Sequence, residues 1–383
     1  MKIGVITFFD NGNYGSELQS LAMNGFCKAR GHEVTLLRIY SSNRLLRYIN
    51  RLINQIIVWY NCKVDKEYRN VYDDLHSNIT KQSNISQELR NHIHAKVYSL
   101  ISTGSISVYR MRYHSPYDCY ICGSDQVWSA LIQPVWTKNF LKGVSANRKI
   151  AYAPSIGVND VPDYYIRKVT PLVRDFKFLS VREQQVADLF EKKIGVKPLV
   201  VVDPTILIGR EYWNTLLVDE KLTKPQKAYI FCYFLGELNN EQTDFLNRFA
   251  GNREIIILPY EHHTHKLKNS RYVLADHIEF VNYIKYADYI FTDSFHATVF
   301  SLIFEKEFAV FQRSHVGVTK QTSRIESLLS MVHLENRLLE TTECELYLSS
   351  IDYKRVNNII ENERQKSIRF LDNALNNVQN NIK

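Results

Sequence analysis

A histidine lies where a predicted strand gives way to a predicted helix. The apolar run at residues 289–291 ends at Asp293 and Ser294, and apolar residues at helical spacing follow, a pattern typical of a strand, a polar turn and a helix. His296 falls at the start of that helix, where unpaired backbone N–H groups and the positive helix end favour an anion. We therefore expect a phosphate-bearing ligand there. The alternative is that Asp293 or Ser294 only caps the helix and His296 makes a local hydrogen bond.

Polar residues follow other predicted strands in the same way. A strand at residues 117–122 leads to Asp125, and a strand at residues 178–181 leads to Arg182. Two more such strands are predicted at residues 149–153 and 199–202. This repetition is what a sheet with one ligand-binding edge requires, so Asp125 and Arg182 are candidate site residues. The alternatives are a turn or cap for Asp125 and a salt bridge to Glu183 for Arg182.

The N-terminal stretch predicts a strand, a turn-rich loop and a helix. The loop at residues 10–15 contains Asn13 and Tyr14 and follows the strand's carboxyl end, where open α/β sheets bind ligands. Its glycine spacing differs from the dinucleotide fingerprint, so no nicotinamide cofactor is expected. Trp128, shortly after Asp125, is a candidate platform for a sugar; the alternative is a packed aromatic side chain.

Cysteine and histidine spacing predicts no metal site. Cys119 and Cys122 fall in a predicted strand, where an offset of three residues points them to opposite faces, so we interpret them as packed thiols. The loop histidines His262, His263 and His265 have no acidic or cysteine partner at ligand spacing. Scattered cysteines and the lack of a signal-peptide pattern lead us to expect a reducing cytoplasm.

Length and pattern predict two domains. A chain of 383 residues exceeds the size at which one core usually stops growing, and alternating strand and helix patterns predict an α/β fold. We place an N-terminal Rossmann-like domain at residues 1–205, with a helical excursion at residues 43–115. A C-terminal Rossmann-like domain follows at residues 206–345. The last segment, residues 346–383, is expected to form a helix that packs across both domains.

Charge suggests anionic partners. The formal net charge is +8 and the pI is near 9.0, which suits a phosphorylated substrate or an acidic lipid. Residues 43–64 are amphipathic, with Arg44, Arg47 and Arg51 on one stripe and apolar residues on another. One interpretation is a helix at a membrane interface; the other, which we favour, is a helix packed on the body with a solvated arginine face. No stretch approaches the roughly 18 apolar residues that span a bilayer.

Seven short motifs follow one another along residues 1–335: NGNYGSELQSLAM, ICGSDQVWS, YAPSIG, SVREQQ, VVDPT, TDSFHATVFSLIF and KQTSR. Together they resemble the polysaccharide pyruvyl transferase family. The resemblance implies two Rossmann-like domains facing each other across a cleft, as in the GT-B arrangement. It also implies a cytoplasmic enzyme that transfers the enolpyruvyl unit of phosphoenolpyruvate to a sugar, forming a cyclic pyruvate ketal on two hydroxyls.

The resemblance also implies roles for individual residues. A histidine and an arginine bind the donor in that family, and His296 and Arg182 occupy their positions here. Some members carry an arginine where this chain has Ser294, so the cradle for the donor's phosphate and carboxylate lacks one cation. We expect Lys320 or Arg324 to supply it, and we keep Ser294 as a donor contact beside Arg182 and His296.

Ketal formation needs a general acid and a base. His296 and Asp125 are our catalytic candidates, and Asn13, Tyr14 and Trp128 our candidate acceptor contacts. No cofactor is expected beyond phosphoenolpyruvate as co-substrate, and no nucleic-acid partner. The acceptor is expected to be a lipid-linked or nucleotide-linked sugar, with peripheral contact to an anionic membrane at its inner face as one possibility.

Two other functions stay open from sequence. One is a nucleotide-sugar-dependent glycosyltransferase or epimerase on the same fold. The other is a catalytically inactive glycan-binding or scaffold protein. Product mass after incubation with phosphoenolpyruvate and candidate acceptors separates these hypotheses.

Overall fold

The computed structural model describes most of the chain as two parallel sheets with flanking helices. The described residues are 1–9, 12–40, 52, 55–56, 58–64, 66, 69, 100–129, 137–158, 160–217, 227–258, 267–312, 323–339 and 350–381.

The first sheet has seven parallel strands. They are β1 (Lys2–Ile6), β2 (Glu33–Tyr40), β3 (Thr103–Ser107), β4 (Cys119–Cys122), β5 (Lys149–Ala151), β6 (Phe178–Val181) and β7 (Leu199–Val200). Their order is β3-β2-β1-β4-β5-β6-β7. The chain therefore changes direction across the sheet between β1 and β4, and ligands of doubly wound sheets bind at the carboxyl ends of the strands at such a point.

The second sheet repeats this topology with six parallel strands. They are β8 (Tyr229–Tyr233), β9 (Glu254–Leu258), β10 (Ser270–Tyr272), β11 (Tyr289–Thr292), β12 (Glu307–Phe311) and β13 (Leu338–Leu339). Their order is β10-β9-β8-β11-β12-β13. The switch point lies between β8 and β11, so His296, which follows β11, stands at the predicted ligand edge.

Helices connect and cover the strands. Those described at full length are α1 (Tyr14–Lys28), α2 (Val108–Tyr113), α3 (Asp163–Val173), α4 (Gln184–Ile194), α5 (Pro204–Leu207), α6 (Arg210–Leu216), α7 (Asn240–Ala250), α8 (His277–Tyr286), α9 (Phe295–Ile303), α10 (Ser323–Met331) and α11 (Tyr353–Asn380). Polar caps mark several starts, since a side-chain oxygen satisfies the free N–H groups of a first turn. Asp276, for example, accepts from Ile278 and Glu279 at 2.8 Å.

The predicted α/β fold with two Rossmann-like units is confirmed by this topology. Central strands such as β4 and β8 are buried along their whole length, as expected where helices cover both faces of a parallel sheet. One element contradicts the predicted helical excursion at residues 43–115: β3 lies inside it and pairs with β2. Its sequence, TGSIS, lacks the apolar run that identified the other strands. The domain boundaries at residues 205 and 345 stay predictions.

The two cysteines of β4 face opposite sides of the sheet, as their spacing predicts. Cys119 packs in the core cluster that contains Leu18 of α1, and Cys122 packs in the cluster that contains Trp128. Burial raises the pKa of the Cys122 thiol to about 12, so this thiol stays protonated and behaves as a small apolar side chain.

The last helix, α11, spans the two units, as predicted. Near its start, the Tyr353 hydroxyl donates to the Ser301 carbonyl of the second unit at 3.4 Å. Further along, the Ser367 hydroxyl oxygen accepts from the Val202 N–H of the first unit at 3.0 Å. The helix therefore connects the two units by direct hydrogen bonds.

The amphipathic segment is only partly described. Arg44, Arg47 and Arg51 lie outside the described residues, whereas residues 58–64 are helical. Leu52 and Ile56 are 42% and 64% exposed, so the expectation that this apolar stripe packs into a core fails at these two positions. Among the described residues, no helix combines the length and apolar character needed to cross a membrane.

Candidate functional site

Two of the predicted site residues, Arg182 and His296, converge on one buried carboxylate. Asp203 follows β7 and its side chain is fully buried. Its Oδ2 atom accepts from Arg182 Nη1 at 2.7 Å and from the Ser124 hydroxyl at 3.1 Å. Its Oδ1 atom accepts from the backbone N–H and the hydroxyl of Thr205 at 3.0 and 2.7 Å. Residues that follow β4, β6 and β7 therefore meet at the carboxyl edge of the first sheet.

These partners keep Asp203 ionised. Burial alone would raise the pKa of the carboxyl, but His296, Arg182 and the backbone N–H of Thr205 outweigh it and hold this pKa well below its usual range. Asp203 thus carries a fixed negative charge inside the protein.

Arg182 is held on two of its three nitrogens. Its Nε atom donates to Glu183 at 3.1 Å and its Nη1 atom to Asp203, while the buried Nη2 atom has no hydrogen-bond partner in the described part of the chain. Burial lowers the pKa of Arg182, but the charges of Glu183 and Asp203 outweigh burial and raise it. The salt bridge to Glu183 that sequence left as an alternative exists, and it leaves only part of the guanidinium for a ligand.

His296 reaches this network from the second unit. It is the second residue of α9 and is 6% exposed. Its Nε2 atom lies 3.7 Å from Asp203 Oδ2, beyond hydrogen-bond distance. Its ring meets the Phe295 ring edge-on at 5.0 Å. The structure therefore brings together His296 and Arg182, which are far apart in sequence, on either side of Asp203.

Asp125 belongs to the same edge but faces α1. It adopts a positive φ of 67° in the turn after β4, and its carboxylate accepts from the Ser16 hydroxyl at 2.5 Å. Its backbone carbonyl accepts from the Ser155 N–H at 2.8 Å. The interpretation as a turn residue describes this position, and the carboxylate also links the turn to the first helix.

Ser294 and Asp293 make the local contacts that sequence left as an alternative to ligand binding. The Ser294 hydroxyl oxygen accepts from the Ala297 N–H at 3.4 Å and caps α9. The Asp293 carboxylate accepts from the N–H groups of Leu235 and Gly236 at 2.6 and 2.8 Å. Asp293 therefore fixes the loop after β8 next to the start of α9.

Asn13 and Tyr14 shape the start of α1. The Asn13 side chain accepts from the N–H groups of Gly15 and Ser16. Tyr14 is 1% exposed, its hydroxyl donates to the Ala275 carbonyl of the second unit at 2.7 Å, and its ring stacks on Phe280 at 4.8 Å. The structure thus places Tyr14 in the contact between the units, buried away from an incoming acceptor.

Trp128 lies in the core of the first unit. It is 1% exposed and stacks on Phe140 at 4.6 Å, and its indole N–H donates to the Asn139 carbonyl at 3.2 Å. The alternative of a packed aromatic describes this placement. A sugar platform would require this ring to leave a filled core.

A cavity of about 440 Å³ lies beside Arg182. Its lining includes Gln184 from the first unit, Phe295 and Arg324 from the second, and Lys366 from α11. The guanidinium carbons of Arg182 and Arg324 lie 4.3 and 5.9 Å from the centroid of the same Phe295 ring. Arg324 therefore stands near Arg182. Lys320 lies outside the described residues.

Among the described residues, no group of three or more His, Cys, Asp or Glu side chains is arranged to hold a metal ion. His262, His263 and His265 lie outside the described residues.

The sequence did not identify the roles of Asp203, Ser124 and Gly15. In the sequence, Asp203 only follows the strand predicted at residues 199–202, although Asp-Pro-Thr is a helix-start signature. Gly15 lies against His296: a Cβ atom built on it would be 1.9 Å from His296 Nδ1. Such contacts depend on how the two units meet, which no local pattern encodes.

Comparisons with known proteins complete this description. A family model described as polysaccharide pyruvyl transferase matches residues 13–315. A comparison with curated proteins gives no match. Among solved structures, a glycosyltransferase from Rickettsia africae ESF-5 is similar at 12% identity and a TM-score of 0.47, covering 100% of this chain and 98% of that one. UDP-N-acetylglucosamine 2-epimerase from Rickettsia bellii is similar at 11% identity and a TM-score of 0.48, and the match covers 99% of this chain and 97% of that one.

Proposed function

The chain belongs to the polysaccharide pyruvyl transferase family, and from this premise we propose that its donor is phosphoenolpyruvate and its product a cyclic pyruvate ketal on a sugar of a surface-polysaccharide precursor. Family membership makes it a transferase acting in polysaccharide biosynthesis. The donor, the acceptor and the residues that bind them are the content of the proposal.

The chemistry defines what the site must supply. A proton added at C3 of the enol makes C2 electrophilic, and one sugar hydroxyl adds to C2. The bond between C2 and the phosphate oxygen breaks, phosphate leaves, and a second hydroxyl closes the ring. The two hydroxyls lose two protons: one balances the proton gained at C3, and the other goes to the departing phosphate oxygen, so that phosphate leaves as hydrogen phosphate. The site therefore needs an acid, a base and cations for two anionic groups.

The observation that supports the proposal is the meeting of Arg182 and His296 at Asp203. Arg182 Nη2 and His296 Nε2 are buried and have no hydrogen-bond partner among the described residues, so both can donate to an anionic ligand without losing a bond seen there. Buried polar groups are otherwise almost always paired. We assign donor binding to these two side chains, with His296 also suited to deliver the proton to C3.

Arg182 is not free to bind an anionic group of the donor through two parallel hydrogen bonds from Nε and Nη1. Because its Nε and Nη1 atoms are already bound to Glu183 and Asp203, Arg182 offers the donor one edge only. A second cation is then required for the other anionic group. Arg324 meets this need best among the described residues, since it lines the same cavity beside Phe295; Lys320 remains a candidate by sequence.

Asp125 is the proposed base. Its carboxylate is 6% exposed and already accepts from Ser16, so it can take a proton from an acceptor hydroxyl only if the acceptor reaches this turn. Asn13, whose side chain caps α1 beside it, is the matching acceptor contact that we propose.

The reaction test uses phosphoenolpyruvate, candidate diphosphate-linked sugars and the full chain. Phosphate release together with an acceptor mass gain that matches a pyruvate ketal supports the proposal. A hexose-sized gain from a nucleotide sugar would instead indicate a glycosyltransferase. Neither product, with sugar binding retained, would indicate a glycan-binding protein.

We further propose that the acceptor is lipid-linked and that the enzyme meets it at the inner, anionic face of a membrane. The carrying observation is the segment at residues 52–69, in which residues 58–64 are helical. Five of its described apolar side chains are 42–64% exposed and fall at helical spacing: Leu52, Ile56, Trp59, Tyr60 and Val64. Large exposed aromatic residues with neighbouring cations favour a membrane interface, and Lys63 lies 4.5 Å from the Trp59 ring. A nucleotide-linked acceptor would not require this surface.

A further inference from the structure

Gly15 is the point where the second unit comes closest to helix α1. A Cβ atom built on Gly15 would lie 1.9 Å from His296 Nδ1, 2.5 Å from Cγ and 2.7 Å from Cε1. Distances below 3.0 Å do not occur between real Cβ atoms and their neighbours. The imidazole ring therefore occupies the space that any side chain at position 15 would need.

The backbone does not require glycine at this position. The φ angle of Gly15 lies outside the left-handed region, in contrast to Gly12 and Gly31, so other residues could adopt its conformation. Gly15 is also the second residue of α1, and glycine weakens a helix relative to alanine. Among the described contacts of this position, the close approach of the His296 ring is the one that requires glycine, because it leaves no room for a Cβ atom.

Neither side of this contact is free to retreat. The start of α1 is fixed by the Asn13 cap and by Tyr14, which is bonded to Ala275 and stacked on Phe280. His296 in turn stands on the first turn of α9, and its ring is confined on other sides by Phe295 and Asp203. A side chain added at position 15 would thus displace the imidazole.

We propose that Gly15 is a positioning residue that sets where the His296 imidazole lies relative to Asp203. The catalytic consequence rests on the proposed function, because it assumes that His296 acts on the donor. The positional claim does not, since it concerns the packing of one ring against one helix.

A double-mutant cycle tests the positional claim without any substrate. Gly15→Ala should lower the thermal unfolding midpoint when His296 is present. In the His296→Ala background the same change should no longer lower it, because the imidazole that clashes is gone and alanine favours the helix. Equal losses in both backgrounds would overturn the proposal.

Gly25→Ala is the matched control. Gly25 lies on the same helix, and a Cβ atom there would be 2.8 Å from the ring of Tyr212. This change should strain packing of the same kind, but its effect on the unfolding midpoint should be additive with that of His296→Ala. Coupling of equal size for Gly25 and Gly15 would show that the cycle reports general helix strain, and would overturn the proposal.

A chemical readout follows the ring itself. Carbethoxylation of His296 by diethyl pyrocarbonate, measured by peptide mass, should be several-fold faster in Gly15→Ala than in the wild type or Gly25→Ala, because the displaced ring loses its cover. An unchanged rate would contradict displacement.

Turnover then separates this proposal from the proposed function. With pyruvyl transfer established, Gly15→Ala should lower kcat at least ten-fold with a smaller change in donor KM, and should add no loss in the His296→Ala background. If the wild type transfers no pyruvyl group but the stability coupling and the faster carbethoxylation are found, the positioning role holds and the proposed function fails.

Discussion

The junction at Asp203 and the segment at residues 52–69 contrast in which side chains they bury and which they expose. At the junction, charged side chains are buried, and Arg182 and Asp203 compensate each other at 2.7 Å. In the segment, apolar side chains are exposed: Trp59 and Ile56 are 59% and 64% accessible. A buried charge without a partner costs far more than an exposed apolar side chain, so only the junction has to complete its contacts within the fold.

This difference separates two kinds of functional inference. The junction is specified by internal contacts, so substitutions there should change both stability and turnover. The segment exposes apolar side chains that a membrane or another protein surface could cover. Substitutions there should change where the protein binds and should leave its fold and its turnover intact. Each prediction below tests one side of this comparison.

The largest expected effect is that of His296→Ala on turnover. If His296 protonates C3 or binds the donor, kcat should fall about 10² to 10⁴-fold, the range for acid–base groups. Steady-state phosphate release measures it, and thermal unfolding verifies that the variant is folded. His114→Ala, at an exposed position, is the control and should keep wild-type turnover. Wild-type turnover in His296→Ala would return this residue to a structural role.

Asp203→Asn should have the largest effect on stability. It leaves the Arg182 guanidinium buried with one carboxylate instead of two, and breaking a buried pair costs about 3–5 kcal/mol. Urea unfolding at pH 7 measures this loss. Asp163→Asn is the matched control: its carboxylate is 73% exposed and 3.4 Å from Lys193, so the change should cost about 0–1 kcal/mol. Equal losses in the two variants would mean that the junction gains nothing from burial of its charges.

The same residue predicts a pH dependence. The pKa of Asp203 is lowered in the folded protein, so its contribution to stability is fully present above the unfolded value of about 4 and is lost as pH falls toward the folded value. The unfolding free energy of the wild type should therefore decrease on acidification below about pH 4, and Asp203→Asn should lack that part of the slope. Parallel slopes for both proteins would indicate that Asp203 is not the ionised partner of Arg182.

Arg182→Lys should act mainly on the donor. Lysine cannot reproduce the planar guanidinium that binds Glu183 and Asp203 and still presents Nη2, so donor KM should rise about ten- to a hundred-fold, the value of a hydrogen bond to a charged group. Arg174→Lys is the control, since Arg174 donates to the Ile194 carbonyl on α4. If donor KM is unchanged in Arg182→Lys, the donor is bound elsewhere and Arg324→Ala becomes the informative variant.

Local pattern was sufficient for the elements that present the site. His296 could be placed because an apolar strand, a polar turn and a helical repeat surround it, and Arg182 because it follows a short apolar run. β3 was not predicted because its sequence, TGSIS, lacks an apolar run. Its strand conformation depends on pairing with β2, which the local sequence does not show.

The relations between distant parts of the chain could not be predicted. Asp203 joins Arg182 to His296 only because the two sheets meet at their carboxyl edges, and Tyr14 is buried by Ala275 and Phe280 of the second unit. Long-range contacts decide whether a candidate side chain can touch a ligand or is buried in packing. Because the sequence does not show these contacts, Trp128 and Tyr14 both remain candidate acceptor contacts there, although the structure buries both.

The smallest expected effect concerns the segment at residues 52–69 and its affinity for anionic membranes. Each basic side chain near such a surface contributes about 1 kcal/mol, and exposed apolar residues add burial in the headgroup region. The full chain should therefore sediment with vesicles that contain phosphatidylglycerol, less so with phosphatidylcholine alone, and less at high salt.

Two sets of variants separate the contributions of apolar surface and charge. Ile56→Ser with Trp59→Ser should abolish sedimentation while pyruvyl transfer to a soluble acceptor stays at the wild-type rate, because neither side chain belongs to the Asp203 network. Changing Arg44, Arg47 and Arg51 to glutamate should abolish only the anionic preference. The wild type could instead fail to sediment with vesicles and form a dimer that Ile56→Ser with Trp59→Ser dissociates. That result would show that a second copy of the chain covers the exposed apolar side chains of this segment. The acceptor would then not need to be membrane-bound. The junction would be a contact within one chain, and the segment a contact between two copies of it.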